Sequence, residues 1–265
     1  MQTSWFMSAS ELTRPLLALL FSSALGTLLL FVRVLVSHRL EHLYLVGNLA
    51  LAWIPLLASM LLESWDKSPL ESAASAQGAP ADSASSQNDL KARAPRAAWK
   101  RTAAYVIWFF FFPNAPYIVT DLVHLGPKQH GHFWIDMLLI LLFALTGLVL
   151  AFLSLRLMQR RVERRCSWTV GWLFVAGMSF LCGMGIYAGR FLRWNSWDVI
   201  LRPWLIISDL QHWLRNFIYH PLSIAFPVMF ALFLFTIYLT LLAITHAEQV
   251  RRHATFPIRE VARVE

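Results

Sequence analysis

Apolar residues gather in six stretches along this chain, at 15–36, 43–63, 102–121, 133–155, 168–189 and 222–245, with polar, basic or proline-bearing segments between them. Each is about the length a helix needs to cross a ~30 Å hydrocarbon core at about 1.5 Å per residue. The third stretch departs from the pattern, because FFFFPNAPYIVTDLVH at 109–124 sets two prolines, an asparagine and an aspartate inside it. Counted from Lys100 and Arg101, Pro113 falls roughly 18 Å in, past the middle of the bilayer. Pro113 and Pro116 each lack a backbone donor, and each disfavours helical geometry in the residue before it. The carbonyls of residues 109–112 therefore lose partners that lipid cannot replace, so the break must be buried in protein or line a wet cavity.

A seventh segment, Pro203–Tyr219, alternates differently. Ile206, Leu210, Trp213, Leu214 and Phe217 share one side, and Ser208, Asp209, His212, Arg215 and Asn216 fall largely on the other. This pattern predicts an amphipathic helix lying in the membrane interface. The fold class is thus all-α: a polytopic membrane protein of about six transmembrane helices, the third broken at PNAP, plus an interfacial amphipathic helix. Composition agrees, since 57% of 265 residues are hydrophobic and only 14% charged, which excludes a soluble domain.

Charge sets the orientation. With an even number of crossings, 16 Lys and Arg fall on the side of the termini and 7 on the other. The positive-inside rule then predicts cytoplasmic termini. The net charge of +8 follows from loop arginines near anionic lipid, and without a basic stripe interleaved with stacking aromatics no nucleic-acid partner is expected. Membrane lipids are the expected partners. Residues 15–32 are too long for the apolar part of a secretion signal and end in Arg33 without a small-residue cleavage site, so they read as a retained first helix.

Residues 72–89, SAASAQGAPADSASSQND, cannot bury enough apolar surface to order themselves, and predict a disordered cytoplasmic linker at about 68–96 within a single membrane domain, 1–265. Cys166 and Cys182 lie about 24 Å apart along one helix and cannot bridge within the chain. On that helix Ser179, Gly183, Gly185 and Gly189 admit a close neighbour, either another span or a second copy in a helix-mediated homo-oligomer. Trp5, Trp65, Trp99, Trp134, Trp168, Trp194, Trp197 and Trp204 fall near span ends, as interfacial anchors do.

Polar groups converge on the extracytoplasmic halves of the spans: Asn48, Asn114, Thr120, Asp121, Asp136, Tyr187, Arg190 and Arg193. Polar residues gather at helix ends in any case, but Asn48 and the PNAPY break lie deeper than that tendency explains. Asp121 and His124, three residues apart, share a face if helix resumes after Pro116, and Asp136 follows a short loop. A carboxylate beside an imidazole suits acid–base work, so Asp121, His124 and Asp136 are the candidate catalytic groups. Asn114 and Tyr117 in the break, and Arg190, Arg193, Asn195 and Asp198 at the end of the fifth span, are the candidate substrate-binding groups, because guanidinium forks match phosphate or carboxylate. Asp121 is expected to be neutralised by Arg190 or Arg193, since an unpaired charge near lipid is costly. The spacing is no recognised metal motif, and no G-x-S-x-G, P-loop or dinucleotide glycine pattern is present, so neither metal nor cofactor is expected. His38-Arg39-Leu40-Glu41-His42 matches H-x-x-E-H, but it sits in a short turn with no long helix to present zinc ligands.

NLALAWIP at 48–55, PNAPYIVTDLVHL at 113–125, FWID at 133–136 and GIYAGRFLRWNSWD at 185–198 together resemble the bacterial membrane-protein family known as domain of unknown function 1361, over about 45–245. The resemblance implies a multi-pass protein of the bacterial plasma (inner) membrane and brings no reaction with it. Three readings follow from the residues. One is an enzyme acting on an anionic lipid or lipid-linked group through an outward-facing polar pocket. The second is a transporter with a broken-helix solute site, although no matched second break is visible. The third is a structural or assembly protein whose polar network performs no catalysis.

Overall fold

The computed structural model describes residues 9–38, 40, 42–76, 84–125, 133–192 and 222–261, with a few positions between 204 and 215. Seven α-helices and one 3₁₀ helix make up the described residues, and no strand occurs among them. They are α1 (Ala9–Ser37), α2 (Tyr44–Ala76), α3 (Ala84–Phe111), α4 (Asn114–Tyr117), the 3₁₀ helix Ile118–His124, α5 (Phe133–Arg165), α6 (Trp168–Phe191) and α7 (Leu222–Val261). Six spans among them are long and apolar enough to cross a membrane: Leu12–Ser37, Tyr44–Asp66, Ala98–His124, Phe133–Arg165, Trp168–Phe191 and Ser223–Ala247. The chain is an all-α polytopic membrane protein. Its residues group into two compact units, Met1–Arg164 and Arg165–Glu265.

In the first unit α5 is the central helix, buried over most of its length, and α1 is peripheral, with Leu17, Phe21, Leu28 and Phe31 exposed as lipid-facing side chains are. Hydrogen bonds rather than apolar burial distinguish one helix register from another in a membrane, because lipid is as apolar as leucine. Four such pairings fix the register here. Arg33 on α1 binds Asp136 on α5, and about three turns deeper Ser22 meets Thr146 at 2.5 Å, so α1 and α5 run antiparallel. Trp53 Nε1 donates to Ser23 Oγ at 3.1 Å, and Trp108 Nε1 donates to Ser154 Oγ at 2.7 Å, tying α2 to α1 and α3 to α5. At the far end Arg161 donates to Asp66 Oδ2 through Nε and Nη2, Arg164 grips both oxygens of Glu63, and Arg101 donates to the Trp65 carbonyl.

The expected break is present. Helix α3 stops at Phe111, and the backbone resumes as one turn of α-helix and then as 3₁₀ helix. Local donors replace those the prolines lack: Ala115 N–H donates to the Phe112 carbonyl at 3.2 Å, Asn114 Nδ2 to the Phe111 carbonyl at 3.2 Å, and Thr120 Oγ1 to the Tyr117 carbonyl at 2.7 Å. Ala115, Pro116 and Ile118 are buried, and α5 approaches the break so closely at Gly147 that a Cβ there would collide with the Ala115 carbonyl. The unwound backbone is thus enclosed in protein, as a membrane demands.

Helix reaches into both ends of the segment expected as a disordered linker at 68–96, since α2 runs to Ala76 and α3 starts at Ala84. Alanine is the strongest helix former, so a run that cannot pack can still coil.

In the second unit Ser167 caps α6, its side chain accepting from the Val170 amide, and Gly183 lies against the backbone of Pro227 on α7. The small-residue face of α6 is therefore occupied at Gly183 by another span of the same unit. Trp172 meets Phe235 and Tyr238 edge-on beside it. Most of the expected interfacial amphipathic helix, Pro203–Tyr219, lies outside the described residues.

Candidate functional site

One end of the first unit collects polar and ionisable side chains from four helices and a turn. The end of α1 brings Arg33, the turn after it His42, the start of α2 Tyr44 and Asn48, the 3₁₀ helix Asp121 and His124, and the start of α5 Asp136. Their partners divide them into two clusters.

In the first cluster Arg33 Nε donates to Asp136 Oδ1 at 2.7 Å and Nη2 to Oδ2 at 3.0 Å, with both side chains buried. The two parallel bonds are the arrangement in which a guanidinium matches a carboxylate best. His42 Nε2 stands 3.9 Å from the same Oδ2, and neither His42 ring nitrogen has a hydrogen-bond partner although the ring is 8% exposed. The turn carrying it holds His38 and His42 at φ 52° and 68°, left-handed backbone in which histidine is several-fold enriched.

In the second cluster Asn48 Nδ2 donates to Asp121 Oδ2 at 3.0 Å, and His124 Nε2 lies 4.0 Å from Asp121 Oδ1. Asp121 is buried while the His124 side chain is 47% exposed, so a fixed carboxylate stands behind an imidazole that faces outward. The 3₁₀ geometry matters: with about three residues per turn, positions 121 and 124 fall on one line, where an α-helix would set them about 60° apart. Tyr44 joins the clusters, its ring edge-on to His42 at 6.0 Å and to His124 at 5.4 Å between centroids.

Asp121 and His124 thus come together as their spacing suggests. Asp136 is engaged with Arg33, and Asn114 caps the Phe111 carbonyl within the break. Tyr117 is half-buried in α4, its carbonyl taken by Thr120. Arg190 is half-buried in the last turn of α6 in the second unit, and Arg193, Asn195 and Asp198 lie outside the described residues. In the sequence Arg33 is one loop charge among several, and His42 stands out only as the end of the H-x-x-E-H stretch. Their value comes from Asp136, 103 residues beyond Arg33, and no local signal reveals such a pairing. Among the described residues no group of three or more His, Cys, Asp and Glu side chains is gathered to hold a metal ion.

Residues 48–240 match the family described as Protein of unknown function (DUF1361), and the chain belongs to that family. No curated protein and no solved structure matches it.

Proposed function

We propose that the protein is an enzyme acting on a lipid or lipid-linked group at one membrane face. The observation that carries this reading is the pairing of buried Asp121 with exposed His124, backed by Asn48. A histidine whose carboxylate partner is held from behind can take a proton from a hydroxyl or a water and be stabilised as imidazolium while it holds it. His124 is the proton acceptor in this reading, Asp121 orients it, and Asn48 keeps the carboxylate turned. Asp136 is then an anchor for α1 rather than a second base. The excess of Lys and Arg on the terminal side, 16 against 7, supports an outward-facing site and cytoplasmic termini in a plasma membrane. Arg190 and Arg193 supply the sequence argument for an anionic group on the substrate.

A purely structural reading draws on a different observation, the engagement of Asp136 and Asn114 in internal contacts. The two readings separate in vitro. Purified protein in nanodiscs of total polar lipid from its own host should convert a lipid species, followed by mass spectrometry, and His124→Gln should abolish the conversion. Equal lipid profiles with and without the wild-type protein would support the structural role.

A further inference from the structure

His124 and Tyr44 stand at the edges of their spans, since Ala98–His124 ends at the one and Tyr44–Asp66 begins at the other. Their rings touch edge-on, so the two spans end at one level, where hydrocarbon gives way to lipid head groups. Both side chains are exposed, and the rim around them is apolar: Leu43, just before Tyr44, and Val123, just before His124, are exposed as well. The ionisable groups behind this rim, Arg33, His42, Asp121 and Asp136, are all buried. A ligand therefore reaches His124 from outside the helix pair, across apolar side chains.

Helix α2 carries the apolar rim down into the membrane. Leu43, Gly47, Ala50, Leu57 and Leu61 recur at helical spacing and all are exposed, so they make up one lipid-facing side. Gly47 is the notch in that side, because nothing lies within 4 Å of the Cβ that a side chain there would bring. It sits three residues, about 4.5 Å, below Tyr44. Asn48, the next residue, turns toward the protein and donates to Asp121 Oδ2 at 3.0 Å. The same turn of α2 thus holds the carboxylate behind His124 on one flank and leaves open space on the other.

From this arrangement we propose that the ligand of the site is a bilayer lipid that enters sideways from the membrane, with an acyl chain in the notch at Gly47 and a head-group hydroxyl on His124. The hydroxyl follows from the pair itself, because an imidazole backed by a carboxylate accepts from an O–H. The chain follows from the level: a lipid whose head lies beside His124 has its first methylenes at the depth of Gly47. Tyr44 stands between the two, an apolar ring with a polar tip, as suits that boundary. A water-soluble hydroxyl compound gains nothing from the notch. The notch therefore favours a ligand that is already in the membrane.

This inference rests on the reading of His124 as a working base and names what that base meets, but binding can be followed without turnover. Full-length protein is released for native mass spectrometry from nanodiscs of phosphatidylcholine doped with either phosphatidylglycerol or phosphatidylmethanol, which carry the same charge but differ in head-group hydroxyls. The wild type should retain phosphatidylglycerol in preference to phosphatidylmethanol, and free glycerophosphoglycerol, the same head without chains, should not displace it. Gly47→Leu meets no neighbour, so it should melt like the wild type yet retain about tenfold less phosphatidylglycerol. Gly177→Leu, equally open but on α6, should retain as much as the wild type. In His124→Leu the preference for the hydroxylated head should disappear. Equal retention of the two lipids by the wild type overturns the inference, as does full retention by Gly47→Leu or displacement by the free head. Should Gly47→Leu fail to fold, the wild-type preference and the displacement experiment decide the matter alone. Retention in this pattern without any lipid conversion would sink the enzyme reading and leave the lipid site standing, whereas conversion without the preference would overturn this inference alone.

Discussion

Arg33 holds Asp136 by two hydrogen bonds of 2.7 and 3.0 Å, joining the end of α1 to the start of α5 across 103 residues of sequence. Both side chains are buried, so each charge depends on the other for what water would have supplied. Removing one partner is far worse than removing both. Asp136→Leu or Arg33→Met alone should lower the unfolding free energy in detergent by about 3–5 kcal/mol. The double variant should recover most of the loss, and additive losses measured by thermal unfolding would deny the coupling.

At the break, the contact between Gly147 and the Ala115 carbonyl leaves no room for a side chain. Gly147→Leu should cost about 1–3 kcal/mol or block insertion, as overpacking does. Gly177→Leu is the control, because nothing lies within 4 Å of the Cβ it would gain. Equal melting temperatures for the two variants would contradict the close approach of α5 to the break.

Asn114 gives its side-chain amide to the Phe111 carbonyl. If that cap is its role, Asn114→Ala should lower stability by about 1 kcal/mol and leave lipid conversion intact. A substrate contact, as the sequence reading expects, would show the reverse: unchanged melting and lost conversion.

Orientation can be read from thiol chemistry. Cys166 is exposed at the start of α6, on the side carrying 16 of the Lys and Arg. In intact cells it should resist an impermeant thiol reagent, while Leu125→Cys, just beyond the 3₁₀ helix, should react. Labelling of Cys166 with protection at 125 would invert the topology.

The spans and the broken third helix are legible in the sequence because hydropathy and proline act locally. The pairing of Asp121 with His124 is legible for the same reason, as three residues of separation needs no knowledge of the rest of the chain. Arg33, His42 and Asn48 gain their roles from residues on other helices, Asn48 from Asp121 73 residues away. Such pairings depend on how each helix is rotated about its axis. One sequence of nearly all-round apolar helices does not fix that angle, and the broadly buried surface of α5 shows why. Buried Trp108, bonded to Ser154, differs from exposed Trp99, Trp134 and Trp168, yet composition treats all four indoles alike.

Whether the Asp121–His124 pair does chemistry is read from cell-envelope lipid profiles of the host. A strain lacking the protein should be compared with strains carrying Asp121→Asn or His124→Gln, each at wild-type protein level and melting temperature. Both point variants should reproduce the lipid changes of the deletion. Wild-type profiles in both, beside a changed profile in the deletion, would contradict chemistry at the pair.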